Sequence, residues 1–362
     1  LRHGGPFTPG EYARFFTESG DATMHERHVP ESVFFRWAIK ELATVLACAP
    51  TLASVLTARE QTPPEALAAR LLREANVTVL LLDHGYRTGE TWSHAEHEAR
   101  LPCRTLPVLR LETLAQELIL RHDTFDDALD AFVAAVDGAR GAGYVGLKSI
   151  IAYRTGLAVR STTRDEAAAA FAPVKEQARR AGSLRLATKP LNDYLLVRAL
   201  EIAERHALPV QFHTGFGDAD VDLLAANPLH LRPLLESDAY RHVTFVLLHA
   251  SYPYVRELAY LAAIHPHVYA DFGLANPHLA AAIPMVLREL LGLAPATKIL
   301  YSSDASAIPE LFWLAARWGR RGLGVVLDEL ITLGALTTDE AWASARQILG
   351  ANAARVYGLA WP

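Results

Sequence analysis

Short apolar runs recur along this chain and alternate with stretches of helical spacing. The runs lie at residues 77–82, 106–111, 144–148, 209–213, 242–249, 267–271 and 297–301. Each is short, continuous and rich in Val, Leu, Ile, Phe or Tyr, which predicts a strand buried on both faces. Apolar residues at helical spacing predict helices over 125–139, 165–181, 192–206, 255–264 and 278–291. The first of these runs into Gly141 and Gly143, a stop signal. Ahead of the first run, 31–46 reads as a helix, and Pro63-Pro64 opens another that reaches residue 74. Residues 215–227 read as a loop with a short helix. From residue 309 to the end the pattern is helical, with breaks expected at Gly322, Gly334 and Gly350.

Strands alternating with helices imply a parallel sheet. Four of the runs end in a side chain able to bind metal or move a proton: Lys148, His213, His249 and Asp304. In a (β/α)8 barrel the C-terminal strand ends converge on one mouth, so residues far apart in sequence meet there. The expected fold is therefore an α/β barrel of the TIM type in one domain. Residues 1–76 form a mainly helical N-terminal insertion, 77–306 the barrel core and 307–362 C-terminal helices. Seven strands are counted where a closed barrel has eight. The first strand is expected upstream of Leu1, with the opening LRHGGPFTPG at most its tail, and the chain starts without Met. An open doubly wound sheet is the alternative.

Bulk composition narrows the class. The chain has 362 residues, of which 51% are hydrophobic and 21% charged, so it can bury a large core and is not disordered. The net charge of −5, without a basic block, argues against nucleic acid. Cys48 and Cys103 lie outside any CxxC, which fits a reducing cytoplasm. No signal peptide is visible, and no apolar run reaches the roughly 18 residues of a membrane span.

Several segments together resemble a known family. LKSIIAYRTGL (147–157), QFHTGFGD (211–218), LLHASYPY (247–254), YADFGL (269–274), YSSDAS (301–306) and NAARVYGL (352–359) resemble the amidohydrolase superfamily, in its amidohydrolase-2 branch. The similarity is to the amidohydrolase domain of FluG-type proteins and covers about residues 77–359. It implies a (β/α)8 barrel with one or two divalent metals, usually zinc. It also implies C–N bond hydrolysis in many members and non-oxidative decarboxylation in some. The family's strand-1 HxH has no match: His3 stands alone, and His25 and His28 have the wrong spacing.

Each candidate carries a competing structural reading. His213 and His249 end apolar strands, and neutral imidazole is a common metal ligand. Each could instead be a core histidine bonded to backbone, and His249 could shuttle a proton instead of ligating metal. Asp304 could touch metal and take a proton from water whose pKa the metal lowers to about 7. It could instead cap the helix that follows. Lys148 has three open roles: a CO2-carboxylated bridge between two metals, which the resemblance permits, a free cation for a substrate carboxylate, or a core lysine paired with an acid such as Glu112. Arg154 and Arg110 could clamp an anion or form surface salt bridges. Tyr252, Tyr254 and Trp313 could line the pocket or simply pack. Asp83 and His84 read as loop structure with a possible supporting contact. His230, His242, His265, His267 and His278 read as ordinary.

The expected protein is a cytoplasmic, zinc-dependent amidohydrolase acting on a small anionic substrate such as an N-acyl or γ-glutamyl compound. The expected metal ligands are His213, His249, Asp304 and Lys148. The expected acid/base groups are Asp304 and His249, and Arg154, Arg110 and Tyr252 would contact substrate. No nucleic acid or membrane partner is expected, and a homodimer is the default. The alternatives are a metal-dependent decarboxylase and a non-catalytic barrel used for binding or oligomerisation.

Overall fold

The computed structural model describes residues 6–86 and 92–360, so His3 lies outside the described residues. Seven strands form one sheet: β1 (Val79–Asp83), β2 (Arg104–Arg110), β3 (Gly146–Ser149), β4 (Val210–Phe212), β5 (Phe245–Leu247), β6 (Val268–Asp271) and β7 (Ile299–Leu300). Every predicted run supplies one. All pairings are parallel and the order is sequential from β1 to β7. A doubly wound sheet reverses order at a switch point, and this one does not. The sheet also curls. Asp304, just after β7, is in electrostatic reach of Asp83 at the end of β1. Two ends of a flat seven-stranded sheet would be far apart at about 4.8 Å per strand. Among the described residues no strand pairs the outer edges of β1 and β7.

Helices follow the predicted spacing, with exceptions. Arg164–Ala181 begins with a capping box from Thr163 and Glu166, and Gly182 in the left-handed region ends it. Residues 215–227 form turns and no helix. The predicted 278–291 helix is split into Ala275–Leu279 and Ile283–Leu291 around a one-turn 3-10 segment. Gly322 is no break either: Pro309–Thr332 runs straight through it. A Cβ at Gly322 would stand 2.6 Å from Ile283 Cγ2, so glycine here serves close packing against a neighbouring helix. Gly334, with φ near +72°, does end a helical stretch, whereas Gly350 lies inside continuous helical turns. Helices Leu52–Glu60, His94–Arg100 and Leu111–Arg121 are additional to those predicted.

The N-terminal layer packs on the barrel through aromatic rings. Phe16 meets Phe35 edge-on at 5.0 Å, and Trp37 stacks on Trp318 at 4.4 Å. Beneath them Arg59 Nε donates to Glu310 Oε1 at 2.6 Å, both side chains buried. The closing segment is held by Asn352, whose Nδ2 donates to Ala296 O (2.7 Å) and Ile299 O (2.9 Å). That ties the C-terminal helix to β7. Among the described residues no helix is long and apolar enough to cross a membrane.

Candidate active site at the strand ends

The C-terminal ends of the strands bring Lys148, His213, His249 and Asp304 to one mouth. Their side chains act on one another electrostatically. His213 follows β4, and its backbone N–H donates to Ser149 O at 3.0 Å. His249 follows β5 and begins three consecutive residues in the left-handed region, His249, Ala250 and Ser251. Such backbone persists only where surrounding contacts hold it. Here Thr214 Oγ1 donates to Leu248 O at 2.6 Å and shares a hydrogen bond with Ser251 Oγ at 2.7 Å.

The two imidazole rings lie 4.5 Å apart. Both are buried, and neither Nε2 has a hydrogen-bond partner among the described residues. Burial, reinforced by nearby positive charge, holds both well below the usual histidine range, so both stay neutral. Asp304, its side chain 35% exposed, places Oδ2 3.7 Å from His249 Nδ1, and the crowding of protein around the mouth raises its carboxyl despite the opposing Lys148 and Arg110. Asp304 does not cap the next helix: Ile308 occupies that position and makes no side-chain cap.

Lys148 pairs with Asp83, not Glu112. Its Nζ is 3.6 Å from Asp83 Oδ2, and Arg110 reaches the same oxygen with Nε (2.8 Å) and a terminal nitrogen (2.5 Å). Burial alone would raise Asp83, but these two cations outweigh it and hold the carboxyl low. Glu112 turns instead to Ser149, whose Oγ donates to it at 2.6 Å, and burial raises its carboxyl. Arg154 is partly buried, and its Nε has no partner among the described residues. Burial and the neighbouring Arg185 both oppose its charge. Tyr252 packs edge-on against Phe216 at 5.6 Å. Trp313 is buried beneath Arg317, and Tyr254 donates to Leu223 O, so both are packing groups.

Three further residues stand at the mouth that sequence reasoning passed over. Asp271, ending β6, accepts from Gly273 N–H (2.8 Å), Ser302 Oγ (3.0 Å) and the His249 backbone N–H. Burial pushes it up to about 6. Its strand-end place in YADFGL was the available signal. His278 acts electrostatically on His249 and Asp304, and its Nε2 lies 3.0 Å from Glu18 in the N-terminal layer. Tyr153 packs at 4.2 Å on the His213 ring, and its hydroxyl accepts from Asp218 N–H at 3.1 Å. Burial keeps that phenol protonated.

Gly217 holds this arrangement open. A Cβ there would fall 1.8 Å from the Tyr153 hydroxyl and 2.7 Å from His213 Cε1. Gly217→Ala is expected to displace Tyr153 and destabilise the protein by about 1–3 kcal/mol, the usual cost of overpacking. Urea denaturation beside the wild type checks this, and an unchanged midpoint would refute the close approach.

The donor set suits a first-row divalent ion: neutral imidazole nitrogens left without partners, with a carboxylate beside them. Among the described residues no three His, Cys, Asp or Glu groups are gathered closely enough to hold an ion on their own.

Comparison with known proteins places the chain. Residues 157–359 match the amidohydrolase family. The chain is 33% identical to Protein fluG of Emericella nidulans over 92% of its own length, but spans only 41% of that relative. A proposed metal-dependent hydrolase of Lactobacillus casei is 30% identical, with a TM-score of 0.88 over 98% of this chain and 91% of that one. A uronate isomerase of Thermotoga maritima shares the fold at 16% identity, with a TM-score of 0.65 over 96% of this chain and 82% of that one.

Proposed function

The chain belongs to the amidohydrolase family, and from that premise we propose that it is a metal-dependent hydrolase cleaving a C–N bond, amide or related, in a small anionic substrate. The observation that carries this reading is the pair of buried neutral imidazoles with unpartnered Nε2 atoms beside Asp304. His213 and Asp304 would hold the ion, zinc by donor chemistry. Bound there, a divalent ion supplies Lewis acidity and a more acidic water.

The chain's own groups then divide the work. Asp304 takes the proton of the attacking water. Leu274 N–H donates to His249 Nδ1 at 3.4 Å. That favours the tautomer with its proton on Nε2, which suits the neutral His249 to donate a hydrogen bond to the substrate carbonyl, while Asp304 passes the water's proton on to the leaving nitrogen. Burial of both histidines excludes bulk water from the reacting atoms. Arg110 and Arg154 supply positive charge for an anion, and Tyr252 forms part of the rim.

The test combines metal content with turnover on a panel of N-acyl and γ-glutamyl compounds, read as amine release. Chelation is expected to lower turnover at least about a hundredfold, with recovery on adding zinc. Undiminished turnover after chelation would sink the metal-dependent reading. The Lys148–Asp83 ion pair favours a free ammonium, which is what the decarboxylase alternative requires. Carbon dioxide release without amine release from the same panel would select it.

A further inference from the structure

Arg110 and Lys148 are register partners on the adjacent strands β2 and β3. Two cations therefore leave the sheet side by side at its C-terminal edge. Like charges directly opposite on neighbouring strands are destabilising, and these are nearly buried, at 11% and 10% exposure. A single carboxylate bridges them. Asp83 Oδ2 faces both, while its Oδ1 accepts from Gly85 N–H at 2.9 Å. Glu112, nearby in sequence, is committed to Ser149. Asp304 influences both cations but forms an ion pair with neither. Arg154 adds a third cation close enough to act on Arg110's surroundings, with its buried Nε unpartnered among the described residues.

A partly buried excess of positive charge is costly unless an anion meets it. Arg110 spends Nε and one terminal nitrogen on Asp83, and its other terminal nitrogen makes no hydrogen bond among the described residues. Lys148 Nζ makes no hydrogen bond there either and has two further N–H groups beyond the one facing Asp83. These donors adjoin the imidazole pair, since Lys148 acts on both His213 and His249.

We propose that Arg110 and Lys148, held together by Asp83, form a subsite for a substrate carboxylate, with Arg154 at its rim. The inference builds on the hydrolytic reading of the mouth and narrows its substrates to carboxylic acids whose labile C–N bond lies close to the acid group. Asp83 is the positioning residue: it sets the exit direction of both cations and does not touch substrate.

The test needs no turnover. Succinate binding is measured by titration calorimetry at constant ionic strength, on protein as purified and after chelation, with succinamide as the uncharged control. Succinate is expected to bind saturably in both preparations and succinamide not to bind. Lys148→Met and Arg110→Gln are each expected to weaken succinate about tenfold or more, the worth of a charge-assisted hydrogen bond. Lys148→Arg is expected to retain most of the affinity. Should the strand variants fail to fold, Arg154→Gln, outside the strands, is expected to weaken succinate about threefold. No saturable binding by the wild type, equal binding by folded variants, or binding that disappears on chelation would each overturn the subsite. Succinate binding without amine release from any substrate would leave the subsite standing and overturn the hydrolytic reading instead.

Discussion

Asp304→Asn is expected to keep its fold and lose about a hundredfold or more in kcat/KM on a substrate of the proposed class, the scale of general acid–base catalysis. The substitution isolates charge from shape. Asp304 adopts a φ near +48°, and Asn tolerates the left-handed region as readily as Asp. The helix beginning at Pro309 has Ile308, not Asp304, at its N-cap position, so no helix end is lost with the carboxylate. The Asp304 side chain is 35% exposed, so solvent screens the charge and its loss is expected to change stability little. A melting temperature close to wild type, together with collapsed turnover, is the expected pair of readings. Retained turnover would remove Asp304 from the chemistry. A large drop in melting temperature would assign it a structural role.

Glu310→Ala is expected to cost about 3–5 kcal/mol of stability, the effect of removing one partner from a buried ion pair. Glu310 is fully buried and Arg59 nearly so, with 2.6 Å between them. Tyr12 lies above the same carboxylate at 3.5 Å, and Phe7 lies against the Arg59 guanidinium at 4.5 Å. Without Glu310 the buried ion pair is lost and a cavity opens beside the guanidinium. The double variant Arg59→Met, Glu310→Leu is expected to recover most of the loss, because apolar replacement of a buried pair is often neutral or stabilising. Urea denaturation of both single variants and the double variant reads this as a coupling energy. An additive double variant would show that the pair does not join the N-terminal layer to the barrel.

The mouth at the strand ends and the N-terminal layer meet at His278 and Glu18. Sequence reading treated this histidine as ordinary because it stands at the start of a predicted helix. Its place at the mouth depends on the split of the predicted 278–291 helix. The first segment, Ala275–Leu279, packs against the turn His249–Ser251, and His278 Nδ1 contacts Leu274 O. A local hydrophobic pattern does not encode that packing.

Other features follow the same division. The seven apolar runs became the seven strands because continuous Val, Leu, Ile and Phe segments are stable when covered on both faces, a property of each segment alone. Parallel alignment then carried Lys148, His213, His249 and Asp304 to one mouth without further information. Which acid meets Lys148 is another matter. Glu112 is nearer in sequence, but the β1–β2–β3 register sets Asp83, Arg110 and Lys148 at neighbouring strand ends, and Ser149 takes Glu112 away. Gly322 looked like a helix break, yet Ile283 packs so closely there that glycine is needed inside a continuous helix. The sequence by itself thus determined the strands, their parallel order and the residue types at their ends, because burial and chain direction act locally. Only the tertiary structure decided which charges pair, which polar nitrogens are left without partners and which distant side chains share the mouth, because those depend on register and packing between segments far apart in the chain.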